Sequence, residues 1–305
     1  MARTSTTAPT LVGAYGVSVL HLPRSARLAA WGSALLSGRT DPATAVRAVV
    51  GSDEPHGVTG GEPLPGWQDT GPAGSPGAPG DPGGAPLAQL FAGLASAGAR
   101  CLRVALPAPG DPAGLPGPAE FSAEAVEAGE AVLVDGELLL LDGVGRLGLV
   151  PHVSWFGSAW EPGAEVTWRV FPTWSPKAPD GTTLADADRS LRTGLTEATR
   201  VLAGLDVARW RDDAADRITA VRDGALATSE LPPGCPDRAV RVVASAARVR
   251  AIVELASEDD GAAVSSSEAL ERARSLREVD GVARRALAVA VNAAAAELAG
   301  TAPQR

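Results

Sequence analysis

Residues 143–148 read Gly-Val-Gly-Arg-Leu-Gly, a literal GxGxxG that follows the apolar run Glu137–Leu141. In a dinucleotide site the third glycine lies in a helix whose N-terminus receives the pyrophosphate. Here Leu149, Val150, Pro151, His152 and Val153 come next, a strand-like run with no βαβ unit behind it, so the hexapeptide is read as a turn. The chain has no GxxxxGK[ST] loop, its one lysine, Lys177, standing in Ser-Pro-Lys-Ala-Pro; it has no GxSxG, no HExxH and no EF-hand loop.

The three histidines, His21, His56 and His152, are far apart, so a multi-histidine metal site would have to be assembled by the fold alone. His56, beside Asp53 and Glu54 in a Gly-rich stretch, reads as an ordinary loop histidine. His152 is placed on a strand where alternation puts it on one face with Val150, Ser154 and Phe156, opposite Leu149, Val153 and Trp155. It reads as a half-buried sheet histidine; the alternative makes it an acid or base at the open end of the sheet, with Glu161, Glu165 or Asp142 as the accompanying carboxylate. Cys101 and Cys235 form no CxxC and no Cys/His zinc spacing, so they read as free buried thiols, and neither metal nor cofactor is expected.

Half of the twelve aromatic side chains fall between residues 155 and 174, an enrichment that coding bias does not explain. Trp168, with Val166 and Val170 on its face, is expected in the core, and so is Trp155. Trp160 and Trp174 are expected in loops, where a large ring is costly to expose unless it meets something. Arg169, on the outward face with Thr167, supplies a polar anchor beside them. Trp160, Trp174, Arg169 and His152 are therefore the candidate surface for a partner or ligand.

With 45% apolar and 21% charged residues, the 305-residue chain matches a globular protein and is long enough to bury a substantial core. Ala, Gly, Pro and Arg are abundant while lysine, asparagine and tyrosine occur once each, the bias of a GC-rich coding sequence. The net charge of -9, with neither half basic, argues against nucleic-acid binding. The apolar run 286–296 is interrupted by Asn292 and too short to span a bilayer, and the N-terminal run 11–22 is broken by Tyr15, Ser18 and His21. The expectation is a soluble cytoplasmic protein without membrane contact.

The elements that must position these residues follow from periodicity. A strand within Leu11–Leu20 and two helices, Ser25–Leu36 and one capped at Thr40 and closed by Gly51, occupy 1–51. Residues 52–86 read as a Gly/Pro-rich disordered insertion, with five Gly-x-y triplets from Gly71 that are too few for a collagen helix. Region 87–183 reads as α+β: a helix Leu87–Ala97, a strand Cys101–Leu106 and a short helix capped at Ser122 that carries Glu124 and Glu127. A hairpin Ala131–Val134/Glu137–Leu141 through Asp135-Gly136 comes next, then strands Leu147–Phe156 and Glu165–Phe171. Region 184–300 is helical, with a break expected near Gly281 and an interior helix Val282–Leu298 that is apolar nearly all round.

The fold class expected is thus α+β, an antiparallel β-meander with flanking helices plus an all-α C-terminal layer or bundle. Two functions fit. One is a non-enzymatic protein-interaction or regulatory protein, bound to a protein partner or to another copy of itself. The other is a small-molecule binder or enzyme with its site at the open end of the sheet.

Overall fold

A computed structural model describes residues 19–51, 56–67, 85–157, 162–175, 181–204, 221, 224–258 and 266–301. The expected strand before residue 19, the triplet-bearing stretch 71–84, and Trp160, Glu161 and Trp210 lie outside the described residues.

The fold is α+β. Its central sheet has five strands in the order β2 (His56–Thr59), β8 (Pro162–Pro172), β7 (Leu147–Gly157), β4 (Ala131–Val134) and β3 (Leu102–Ala105). Three of its four pairings are antiparallel, and the fourth, β2 on β8, is parallel, which makes the sheet mixed. The segment read as a disordered insertion therefore contributes an edge strand, and Leu64 just after it is fully buried.

The Asp135-Gly136 hairpin does not form. All four residues of β4 are buried, and β3 and β7 occupy both of its edges, so the run after Gly136 has nothing to pair with there. Instead β5 (Leu138–Leu140) pairs with β6 (Gly143–Gly145) in a small separate ribbon. The GxGxxG thus lies in two strands, with no helix behind it. Its glycines have steric reasons: a Cβ on Gly148 would stand 2.7 Å from the Phe121 ring, and one on Gly145 2.8 Å from Leu140.

Helices cover both faces. On one, Leu149, Val166, Trp168 and Val170 join a continuous core with α1 (Arg24–Leu36), α3 (Ala85–Ser96), α6 (Asp237–Glu258) and α7 (Ser266–Leu298). On the other, Phe121 and Ala125 of α4 (Ala119–Ala128) pack on Leu133, Val150 and Phe171. α4 begins a turn before the expected cap at Ser122, with Pro118 at its N-cap. α2 (Pro42–Val50) is capped by Asp41 rather than Thr40, the carboxylate accepting from the Thr44 N–H at 2.9 Å.

The interior helix is found as expected, with Ala283, Ala286, Leu287, Ala290, Val291 and Ala294 buried; α7 runs unbroken through Gly281 because packing against α5 (Leu184–Gly204) and α6 outweighs the roughly 1 kcal/mol that a helical glycine costs. Alanines on its faces let these helices approach closely. A last link ties the strand ahead of α1 to the segment ahead of α6: Val19–Leu20 (β1) pairs in parallel with Ala225–Leu226 (β9). Among the described residues no helix is long and apolar enough to cross a membrane.

Candidate functional site

β7 and β8 are eleven residues each and pair along their whole length, from Leu147 opposite Pro172 to Gly157 opposite Pro162. β4 pairs with β7 only at Gly148 and Leu149, and β2 covers β8 only over Val166–Arg169. The far third of the pair therefore projects past its neighbours as a two-stranded ribbon, with Trp155 and Phe156 partly open to solvent while Ala164, opposite Trp155, stays buried. This explains why Trp155, on the face expected for it, is not in the core but 42% exposed, and why the next residue, Phe156, on the opposite face, is 49% exposed. Phe156 lies across Gly163, its cross-strand partner, where a Cβ would stand 2.5 Å from the ring; the Arg24 guanidinium sits 5.4 Å from the centroid of Trp155.

At the root of the ribbon the outer face carries His152 opposite Thr167 and Arg169 opposite Val150, which makes them diagonal neighbours. Glu124 of α4 joins them. Its Oε2 meets His152 Nε2 at 2.8 Å, its Oε1 accepts from Arg169 Nη1, and the Arg169 guanidinium also stacks 4.8 Å from the Phe171 ring. Burial of Phe121 and its tilted packing on Phe171, at 5.8 Å between centroids, hold α4 so that Glu124 faces the His152 ring and the Arg169 guanidinium. The carboxylate is thereby shared between two donors and locks helix to sheet. The His152 ring remains open to solvent, Glu165 lies opposite Ser154 on the same face, and Asp142 stands exposed in the β5–β6 turn. This is the geometry of a clamp rather than of a pocket for acid–base chemistry, which needs groups converging on a sheltered substrate.

Trp174 is 66% exposed, with one side of its ring against Gly117 and its main-chain N–H donating to the Gly117 carbonyl at 3.3 Å. It follows the Pro172 end of β8, about 30 Å at ~3.3 Å per residue from the Gly157/Pro162 end that flanks Trp160. The structure thus brings His152 and Arg169 together through Glu124 and sets Trp174 apart from the ribbon tip; Trp160 itself lies outside the described residues. Trp168 is fully buried as expected. His56, read as a loop histidine, is instead buried on β2, where its Nδ1 accepts from the Trp168 indole N–H at 3.1 Å.

A second constellation escaped the sequence reading. The carboxylate of Glu230, with 4% of its side chain exposed, meets His21 Nδ1 at 3.0 Å through Oε1 and accepts from the Leu22 N–H at 2.9 Å through Oε2. It stands on the wall of a cleft of about 460 Å³ formed by α1, α2 and residues 227–230, beside Arg27, Trp31 and Arg47. Because 209 positions separate His21 from Glu230, no local pattern could have paired them. Both cysteines are free, as expected; burial raises the Cys101 thiol and pushes Cys235 up to about 11, so neither is primed as a nucleophile.

The model for the N-terminal domain of the Rv1486c-like proteins matches residues 25–182, more than half of the chain, from α1 to the end of the ribbon. The chain belongs to the Rv1486c-like family. The model for the C-terminal domain of the same family matches residues 185–288, from α5 into α7. Among its relatives, the uncharacterized protein Rv1486c of Mycobacterium tuberculosis is 32% identical over 179 residues, covering 52% of this chain and 58% of that protein. The uncharacterized protein ML1804 of Mycobacterium leprae is 28% identical over 204 residues, covering 63% and 67%. The chain spans less than two thirds of the tuberculosis relative it matches. No solved structure matches it. In this member of the Rv1486c-like family, the parts matched by the two domain models share one core, because α7 packs on both α1 and β3.

Proposed function

We propose that this Rv1486c-like protein is a non-enzymatic interaction or regulatory protein that engages a protein partner through the free end of the β7–β8 ribbon. The observation that carries this reading is the exposure of consecutive residues, Trp155 and Phe156, on opposite faces of a strand pair that extends beyond its sheet. Large aromatic side chains anchor interfaces because they bury much area with little loss of rotamer freedom. The Glu124 clamp with His152 and Arg169 supports the reading as the rigid base from which the ribbon projects, and Trp174 offers a lesser contact at the opposite end. The acidic net charge speaks against nucleic acid as the partner. Two unpaired thiols accord with a reducing compartment, and we place the protein in the cytoplasm.

The test is cross-linking and affinity capture with wild-type protein, Trp155→Ala/Phe156→Ala and Trp174→Ala, alongside light scattering for self-association. A stoichiometric protein, or a second copy, that is captured by wild type and Trp174→Ala but lost from the double variant is the expected result. Equal capture by all three proteins counts against the ribbon.

A further inference from the structure

We propose that the outer edge of β7 beyond Pro151 pairs antiparallel with the same edge of a second copy of this chain, joining two β7–β8 ribbons into one continuous sheet about a two-fold axis at Ser154. This names the partner for the ribbon surface proposed above, on which it rests.

The Thr173 N–H donates to the Arg146 carbonyl at 2.8 Å, one step before the Leu147–Pro172 pair, and this fixes the alternation of the ladder. Residues 148, 150, 152, 154 and 156 turn their main-chain groups toward β8; Leu149, Pro151, Val153, Trp155 and Gly157 turn theirs to the outer edge. Leu149 meets Val132 of β4 there, and β4 pairs no further along the strand. Pro151, which has no N–H to give, stands in the outward set, where it costs the β7–β8 ladder nothing. Among the described residues nothing pairs with the outward N–H and C=O groups of Val153, Trp155 and Gly157, and Ser154, Trp155, Phe156 and Gly157 are all exposed. An edge left in this state is a template for another strand.

What selects a second copy is that this edge is complementary to itself. With the axis at Ser154, Val153 of one copy stands opposite Trp155 of the other, and the two exchange both main-chain hydrogen bonds. The Gly157 N–H of each copy then reaches the Pro151 carbonyl of the other, and only the Gly157 carbonyl, at the wet tip of the ribbon, lacks a donor because Pro151 has none. The same register sets Trp155 beside the β-branched Val153 on one face and Phe156 beside His152 on the other, with Ser154 against itself. Charge does not oppose the contact, since no residue from Val153 to Gly157 is charged. Glu165, opposite Ser154 on β8, is three strand spacings from its counterpart, about 14 Å, which exceeds the roughly 10 Å Debye length at 0.1 M salt. The net charge of -9 on each chain is thereby kept away from the paired edges.

Sedimentation equilibrium of the full chain is expected to show a concentration-dependent dimer. Val153→Pro, which deletes an outward N–H without touching the β7–β8 ladder, is expected to weaken it about tenfold. Ser154→Cys reads the register directly and does not depend on that variant folding. Across the two-fold axis its Cα atoms form a non-hydrogen-bonded pair about 4.5 Å apart, within reach of a disulfide, whereas those of Phe156→Cys lie about 14 Å apart. With oxidised glutathione as the oxidant, Ser154→Cys is expected to form a covalent dimer about tenfold faster than Phe156→Cys. A wild type that stays monomeric, or a Ser154→Cys that cross-links no faster than Phe156→Cys, overturns the self-pairing. A monomer that captures a different protein through Trp155 and Phe156 overturns it too, and leaves the ribbon standing as an interaction surface. A dimer retained by Trp155→Ala/Phe156→Ala and lost in Val153→Pro supports the edge pairing and removes the aromatic rings as its anchors.

Discussion

Asn292 closes both main-chain hydrogen bonds of Val104: its Oδ1 accepts from the Val104 N–H at 2.8 Å and its Nδ2 donates to the Val104 carbonyl at 3.0 Å. Val104 lies in β3, the outer strand of the sheet, so a side chain of α7 occupies the place where a sixth strand would pair. The lone asparagine of the chain thus satisfies an exposed sheet edge and ties the C-terminal helix to it. Asn292→Ala leaves one backbone donor and one acceptor part-buried without partners and is expected to cost about 2–3 kcal/mol in urea unfolding. Asn292→Leu, which fills the volume but not the hydrogen bonds, is expected to do no better.

The Glu124 clamp predicts a graded result. Glu124→Gln keeps the shape but weakens both pairings; because His152 and Arg169 are each more than a third exposed, the loss expected is about 1 kcal/mol or less. Phe121→Ala, which empties the packing under the same helix, is expected to cost about 3–5 kcal/mol. Hydrogen exchange across 119–128 should accelerate in both, and much more in the second.

The glycine hexapeptide predicts a steric outcome rather than a binding one. Gly148→Ala drives a methyl into Phe121 and Thr173 and is expected to destabilise by about 1–3 kcal/mol. Addition of NAD or NADP is expected to leave the thermal midpoint of the wild-type protein unchanged; a concentration-dependent rise would contradict the strand assignment of these residues.

Cys235 gives a pH dependence with a definite sign. Burial raises its thiol from the ordinary 9.0 to about 11, so between these values the unfolded chain releases a proton that the folded protein keeps. The contribution to stability is fully present below pH 9 and is lost as pH rises toward 11. Cys235→Ala should flatten that part of the stability profile, and in the wild type thiol labelling by a disulfide reagent at pH 8 should be slow until denaturant is added.

Much of this architecture is legible in the residues. Period-two alternation places His152, Phe156 and Arg169 on the outer face and Trp168 in the core, and the nearly all-round apolar helix after Val282 lies inside. The errors have one physical source, in that local signals were outweighed by competition for partners across the chain. Asp135-Gly136 is a good hairpin turn, but β4 has both edges taken. His56–Thr59 is too short and too Gly-rich to read as a strand, and its parallel partner is more than a hundred residues away. Trp155 has the right face for burial, yet its strand outruns the layer that would cover it. Glu230 and Glu124 carry no pattern that links them to the histidines they hold.

The Asn292 contact also imposes an order on biosynthesis. Val104 leaves the ribosome 188 residues before the side chain that covers it, an interval of roughly 10–40 s at the usual 5–20 residues per second. For that time a nascent chain holds its β3 edge uncapped, and a ribosome stalled before α7 emerges carries a sheet open to pairing with whatever strand comes near. Chaperone occupancy on the growing chain should therefore persist until α7 has emerged and fall when that helix docks on β3.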